Sequence, residues 1–180
     1  MIPDVETWPA SRGRERRARP WRYACIAILA LAFPVESAPT GGATAPDFAL
    51  RSLERGNQRL SEHRGDVVVL GFWASWCGDC RSHLPELNAL YTEHRDAGLV
   101  MFGINLDRDP QRAREFTGAL ALDFPVLIDA DGEVSRLYAV SRVPSVVVID
   151  RDGAIRYVFD EGGREAVQQW REQILALLTE

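Results

Sequence analysis

The chain contains no lysine, so all 21 of its basic side chains are arginine, and a cation near any reactive group must come from Arg, His or a helix terminus. Six of those arginines, Arg12, Arg14, Arg16, Arg17, Arg19 and Arg22, precede residue 23. Past that head acids outnumber arginines and no basic stripe remains, which leaves nucleic-acid binding without an electrostatic footprint. Cysteine is equally sparse. Three are present, Cys25, Cys77 and Cys80, too few for a disulfide scaffold. The apolar run at residues 23–33 is eleven residues long; as a helix it reaches roughly 16 Å against about 30 Å of hydrocarbon, too short to span comfortably. Internal repeats and low-complexity segments are lacking. So is a phosphate loop, because Asp160-Glu161-Gly162-Gly163 is not followed by Lys and Ser or Thr. What is there, 180 residues with 46% hydrophobic content, suits one domain with a sizeable core.

The arginine-rich head, the short apolar run, Pro34 and the small residues after it have the layout of a secretory signal, with Val35-Glu36-Ser37 before Ala38 as the best cleavage site. Residues 1–37 are therefore expected to be a signal peptide or an uncleaved N-terminal anchor. In the second case residues 23–33 are the protein's contact with the membrane. Either way the chain is expected to be exported to a periplasmic or otherwise extracytoplasmic compartment. Arg16-Arg17 does not carry a twin-arginine reading, since Ala18-Arg19-Pro20 follows with no apolar pair. Residues 38–46, rich in Ala, Pro, Thr and Gly, read as a flexible linker with nothing to bury, and residues 47–180 as the folded domain. That domain keeps only Cys77 and Cys80. In an oxidising compartment such a close pair is better suited to be a working redox couple than a staple.

The sequence around the pair explains why. Residues 67–73, Val-Val-Val-Leu-Gly-Phe-Trp, read as a buried strand that delivers Cys77 and Cys80 to the start of a helix opening at Arg81. Unpaired N–H groups and the helix dipole favour an anion there, which lowers a thiol pKa and favours a thiolate at Cys77. Cys80, a turn further on, is placed to resolve a mixed disulfide. Before this strand, the turn signal at residues 54–57 predicts a short hairpin. After it, apolar spacing predicts a helix over residues 82–95 kinked at Pro85 and closed by Gly98, a strand at 99–106, and a helix from 109 to 120. A strand at 124–128, a short helix at 131–138, a strand at 144–150 turning at Asp152-Gly153 into another, and a final helix after Gly163 complete the pattern. Strands alternating with helices and ending in a hairpin give an α/β sheet covered on both faces.

The residues that carry this pattern, Phe72-Trp73-Ala74-Ser75-Trp76-Cys77-Gly78-Asp79-Cys80 with Pro85 after it and Val143-Pro144 downstream, resemble the thioredoxin superfamily. More narrowly, the chain from about Ala45 onward looks like the exported TlpA/ResA-like thiol-disulfide oxidoreductases. The resemblance implies a thioredoxin-like fold: a central mixed sheet with helices on both faces, an N-terminal β-hairpin, and an extra strand-helix insertion at residues 99–120. It implies that Cys77 attacks, Cys80 resolves, the Val143–Pro144 bond is cis, the Val143 backbone pairs with an extended substrate, and Trp76 forms an apolar shelf. Gly78 and Asp79 form the dipeptide between the cysteines, where the Asp79 charge is expected to oppose a thiolate. No cofactor beyond the Cys77–Cys80 redox couple is implied. The implied partners are protein disulfides or dithiols, apocytochrome c among them, and a membrane-bound electron donor.

Two departures stand out. The buried acid that thioredoxin carries six positions before its first cysteine is Gly71 here, and the glutamate that ResA-like proteins carry three positions after the second cysteine is His83. His83 is either a titratable neighbour of the dithiol or a solvated helix-face residue. Two other functions stay open: a peroxiredoxin-like thiol peroxidase, suggested by Ala45-Pro46-Asp47-Phe48, and a metal-binding module using Cys77, Cys80 and His83. The sequence around Trp73–Cys77 does not fit the first, and the second lacks a fourth ligand at recognisable spacing.

Overall fold

A computed structural model describes residues 42–160 and 162–180. The expected signal peptide, the segment at 23–33, Cys25 and the first part of the expected linker lie outside the described residues. The chain opens with the expected hairpin, β1 (Ala49–Arg51) antiparallel to β2 (Asn57–Arg59). It continues through β3 (Val67–Trp73), α1 (Cys80–His94), β4 (Leu99–Asn105), α2 (Pro110–Thr117) and β5 (Val126–Ile128). It ends with α3 (Glu133–Leu137), β6 (Ser145–Ile149), β7 (Ile155–Phe159) and α4 (Arg164–Leu178). The main sheet has the order β5-β4-β3-β6-β7, with β3, β4 and β5 mutually parallel and β6 and β7 antiparallel to their neighbours.

The strand before the dithiol takes the centre because every residue of β3 is apolar or glycine and can be buried on both faces. Its alternate side chains feed two cores. Val67, Val69 and Trp73 pack with Leu84, Leu87, Leu90, Phe116, Trp170 and Ile174 from α1, α2 and α4. Val68, Leu70 and Phe72 pack on the other face with Phe48, Leu60, Val134 and Tyr138, so α3 and the N-terminal segment cover that side. The exception in β3 is Gly71, paired in register with Gly103 of β4. A Cβ at Gly71 would stand 3.0 Å from Leu87 Cδ1, and one at Gly103 only 2.8 Å from the Phe124 ring. Helix α1 and Phe124 thus approach bare backbone, and at the position where thioredoxin holds its buried acid even a Cβ meets Leu87.

Three expectations change in detail. Residues 42–46 are not linker: the Gly42 and Ala45 N–H groups donate to the Ile155 and Gly153 carbonyls, Ile155 N–H donates to the Ala43 carbonyl, and Ala45 is buried. The start of β7 is an open sheet edge, and this segment covers it. Helix α2 stops at Thr117 rather than 120, because Gly118 ends it and Ala121 takes a left-handed φ of 46°. Helix α1 starts at Cys80, two residues before the expected 82, and runs to His94, followed by a single tight turn that Gly98 closes at φ 89°, as expected.

Candidate dithiol site

Because β3 and β4 are parallel with Trp73 opposite Asn105, the loops that follow them leave the same end of the sheet. The loop after β3 carries the dithiol. Cys77 and Cys80 are joined as a disulfide with Cα atoms 5.4 Å apart, and Cys80 is the first residue of α1. An N–H in the first turn of a helix has no intrahelical acceptor; that of Cys80 donates instead to Cys77 Sγ at 3.1 Å. A thiolate formed at Cys77 in this position would have that donor and the positive end of the α1 dipole beside it. Exposure separates the two sulfurs' residues: Cys80 has no accessible surface, whereas Cys77 retains 7%.

Around the pair, Trp76 is 67% exposed and lines a groove with Leu106, Arg108 and Arg112. Arg81 holds its guanidinium 4.5 Å from the centre of the Phe116 ring. Gly78 faces open space, and Asp79 is exposed with its carboxylate directed toward Gly162 and His83. The Val143–Pro144 peptide bond is cis. Pro144 lines a cavity of about 10 Å³ together with Cys80, His83, Ser145, Gly71 and Trp170. The loop before β6 and the start of α1 therefore meet over one small space.

His83 is not a solvated helix-face residue. It is 7% exposed, and its Nε2 accepts the Gly163 N–H at 3.2 Å, so the neutral ring carries its proton on Nδ1. Burial pulls its pKa below the ordinary 6.5, and the Asp79 and Glu86 charges offset only part of that. The cover comes from the loop before α4, eighty residues away in sequence.

Polar residues that no motif singles out complete the site. Ser145, next to Pro144, donates its hydroxyl to the Asp160 carboxylate at 2.7 Å and joins the start of β6 to the end of β7. At the end of β4, Asn105 and Asp107 are buried, and the Asp107 carboxylate accepts from Ser75 in the dithiol loop. The signal that finds them is position: polar residues just past the carboxyl ends of parallel strands, where α/β proteins gather their sites. Among the described residues no group of three His, Cys, Asp or Glu side chains is placed to hold a metal ion.

A mixed sheet of this order, with its dithiol at the start of the helix after the central strand, is the thioredoxin-like fold of dithiol-disulfide proteins. Residues 42–158 match the model of the AhpC/TSA family. The thiol-disulfide oxidoreductase ResA of Geobacillus thermodenitrificans is 33% identical over 131 residues, which cover 73% of this chain and 75% of that one. Among solved structures, a Chlorobium tepidum protein described as a thiol:disulfide interchange protein DsbE aligns with a TM-score of 0.75 at 35% identity. That alignment covers 78% of this chain and 99% of the other. A secreted Mycobacterium tuberculosis disulfide oxidoreductase shares the fold, with a TM-score of 0.65 at 23% identity over 72% of this chain and 96% of its own. The chain belongs to the AhpC/TSA family and, within it, to the thiol-disulfide oxidoreductases of ResA and DsbE type. The family match includes residues 45–48, which the peroxidase reading shares; the ResA relative is what favours dithiol exchange.

Proposed function

We propose that this oxidoreductase reduces protein disulfides outside the cytoplasm, with Cys77 as the attacking nucleophile and Cys80 as the resolving one. The observation that carries the assignment is the Cys80 N–H donated to Cys77 Sγ, combined with surface exposure at Cys77 alone of the two. In the reduced protein the Cys77 thiolate attacks a substrate disulfide; one substrate sulfur leaves as thiolate and a mixed disulfide forms. The Cys80 thiol then loses its proton and attacks Cys77 Sγ. The second substrate sulfur leaves, the substrate departs as a dithiol, and the protein holds the Cys77–Cys80 disulfide.

Site-shaping roles follow the same reading. Val143 lies just outside the β6 register, which leaves its backbone to pair with an extended substrate strand, and Pro144 packs over Cys80. Trp76 offers a flat apolar surface beside the nucleophile. His83 shares the small cavity with Cys80, and its protonation adds a positive charge that favours thiolate at the pair. Burial keeps it neutral at pH 7. Asp79 acts on His83, whose pKa its charge raises, as well as on the dithiol it separates.

Each turnover consumes two electrons, which a membrane-bound dithiol donor would resupply. The arginine-rich head and apolar run of residues 1–37 support export. Apocytochrome c is the substrate to try first, because haem attachment at its C-x-x-C-H needs both cysteines reduced. The test uses Cys80→Ser mixed with an oxidised C-x-x-C-H peptide. A mixed disulfide on Cys77 is expected to accumulate, and Cys77→Ser is expected to form none. An adduct on Cys80 in Cys77→Ser, or none in either variant, contradicts the assignment.

A further inference from the structure

Resting on the reading of Cys77 as the nucleophile, we propose that Asp107 is a positioning residue of the dithiol: through Ser75 it fixes the turn that presents Cys77. Asp107 is almost fully buried, at 3% exposure, and all its protein hydrogen-bond partners in the described structure lie in the dithiol loop or at the end of β4. Oδ2 accepts the Ser75 N–H at 2.9 Å and the Asn105 side-chain amide at 2.7 Å, and Oδ1 accepts the Ser75 hydroxyl at 2.8 Å. The Asp107 N–H in turn donates to Asn105 Oδ1 at 3.1 Å.

Register explains why this pair can meet. Trp73 and Asn105 are partners at the ends of parallel strands; Ser75 and Asp107 each lie two residues further along. The Leu106 N–H donates to the Trp73 carbonyl at 2.9 Å, which ties the two loops where they begin. Among the described residues, the turn from there to Cys77 has one further main-chain bond, Cys77 N–H to the Ala74 carbonyl at 3.1 Å. Without the Asp107 clamp, no hydrogen bond among the described residues ties the middle of the turn to the end of β4. A buried acceptor that loses its place also leaves the Ser75 N–H and the Asn105 amide without partners. The turn then drifts, and with it the approach of Cys77 Sγ to the Cys80 N–H.

The chemistry of the contacts separates geometry from charge. In Asp107→Asn the amide oxygen can take the place of Oδ2 and accept both N–H donors, while the amide N–H donates to the Ser75 hydroxyl, which can accept. All three hydrogen bonds survive and only the charge is lost. Asp107→Ala removes all three, and Ser75→Ala removes the hydroxyl bond alone.

The test measures two quantities on the reduced full-length protein: the second-order rate of reduction of a disulfide-bonded test protein, insulin, and the pH profile of Cys77 alkylation by iodoacetamide. Asp107→Ala is expected to lower the exchange rate at least tenfold and to move the Cys77 titration to higher pH. Asp107→Asn is expected to stay within threefold of wild type on rate, and Ser75→Ala to fall between. An Asp107→Ala variant that matches wild type on both readouts overturns the proposal. So does an Asp107→Asn variant as impaired as Asp107→Ala, which assigns the effect to charge. Should Asp107→Ala not fold, Ser75→Ala decides: unchanged rate and titration overturn the proposal. A wild-type protein that reduces insulin by way of Cys80 contradicts the underlying reading of Cys77 instead.

Discussion

Replacing His83 by Phe keeps a buried ring of similar size while removing the imidazole from the cavity. The Nε2 acceptor for the Gly163 N–H goes with it. Gly163 is itself exposed, so water can take over its N–H, and the cost at pH 7 is one net hydrogen bond, about 1 kcal/mol. The larger effect is on pH dependence. The folded-state pKa of His83 is depressed below 6.5 by burial, against partial opposition from Asp79 and Glu86. The unfolded chain therefore binds this proton more readily than the folded one. Stability from this group is fully present above about pH 6.5 and is lost as pH falls through the unfolded value toward the folded one. Arg164 and Arg171 of α4 line, with His83, Asp79 and Glu86, a second and open groove beside the cavity; a guanidinium charge does not change over this pH range, so it does not alter the sign. One proton of differential binding sets an upper slope of about 1.4 kcal/mol per pH unit. Urea unfolding of the oxidised wild type and His83→Phe between pH 5 and 8 reads it out. The difference in stability, wild type minus variant, is expected to fall as pH drops below 6.5 and to be flat above. Parallel curves, or a wild type that gains on the variant toward acid pH, would refute the burial argument.

Other perturbations have equally definite outcomes. Trp76→Ala is expected to leave thermal stability within about 0.5 kcal/mol, because the ring is largely in solvent, yet to lower kcat/KM for a protein disulfide at least tenfold, as loss of an aromatic anchor does. A small-molecule disulfide should be much less affected; equal loss for both substrates would remove the shelf role. Gly71→Ala forces a Cβ to 3.0 Å from Leu87 and is expected to cost about 1–3 kcal/mol in denaturant unfolding, and a neutral result would show that α1 shifts freely on β3. Ser145→Ala, which removes the bond to Asp160 beside Pro144, is expected to cost about 1 kcal/mol, measured the same way. His83→Ala is expected to move the thiolate titration and the exchange rate together; if both stay at wild-type values, His83 does not tune the pair.

Much of this site is written locally. Seven buried-type residues in a row specify β3, and the two cysteines follow at a spacing that puts Cys80 in the first turn of α1, so the dithiol and its helix are readable from one short stretch. The Val143-Pro144 pair is legible only through family resemblance, since nothing in its neighbours brings it to the cysteines. What stays hidden depends on contacts between distant segments. Burial of His83 comes from Gly163 at the start of α4, and a helix-face histidine three residues past a cysteine gives no hint of that cover. Ser75 and Asp107 are unremarkable in sequence, and only the parallel register of β3 and β4 makes them neighbours. Residues 42–46 have a linker's composition, yet the open edge at β7 orders them through backbone hydrogen bonds that any non-proline residue could make.

The reduction potential of the Cys77–Cys80 couple tests the central claim most directly. It is obtained by equilibrating the protein with dithiothreitol or glutathione buffers and trapping the free thiols. A reductase fed by an electron donor is expected to lie near about −250 mV or lower, in the range of thioredoxin. A value near about −120 mV, roughly 6 kcal/mol more oxidising for a two-electron couple, would make the protein an oxidant of folding chains and contradict its assignment as a reductase.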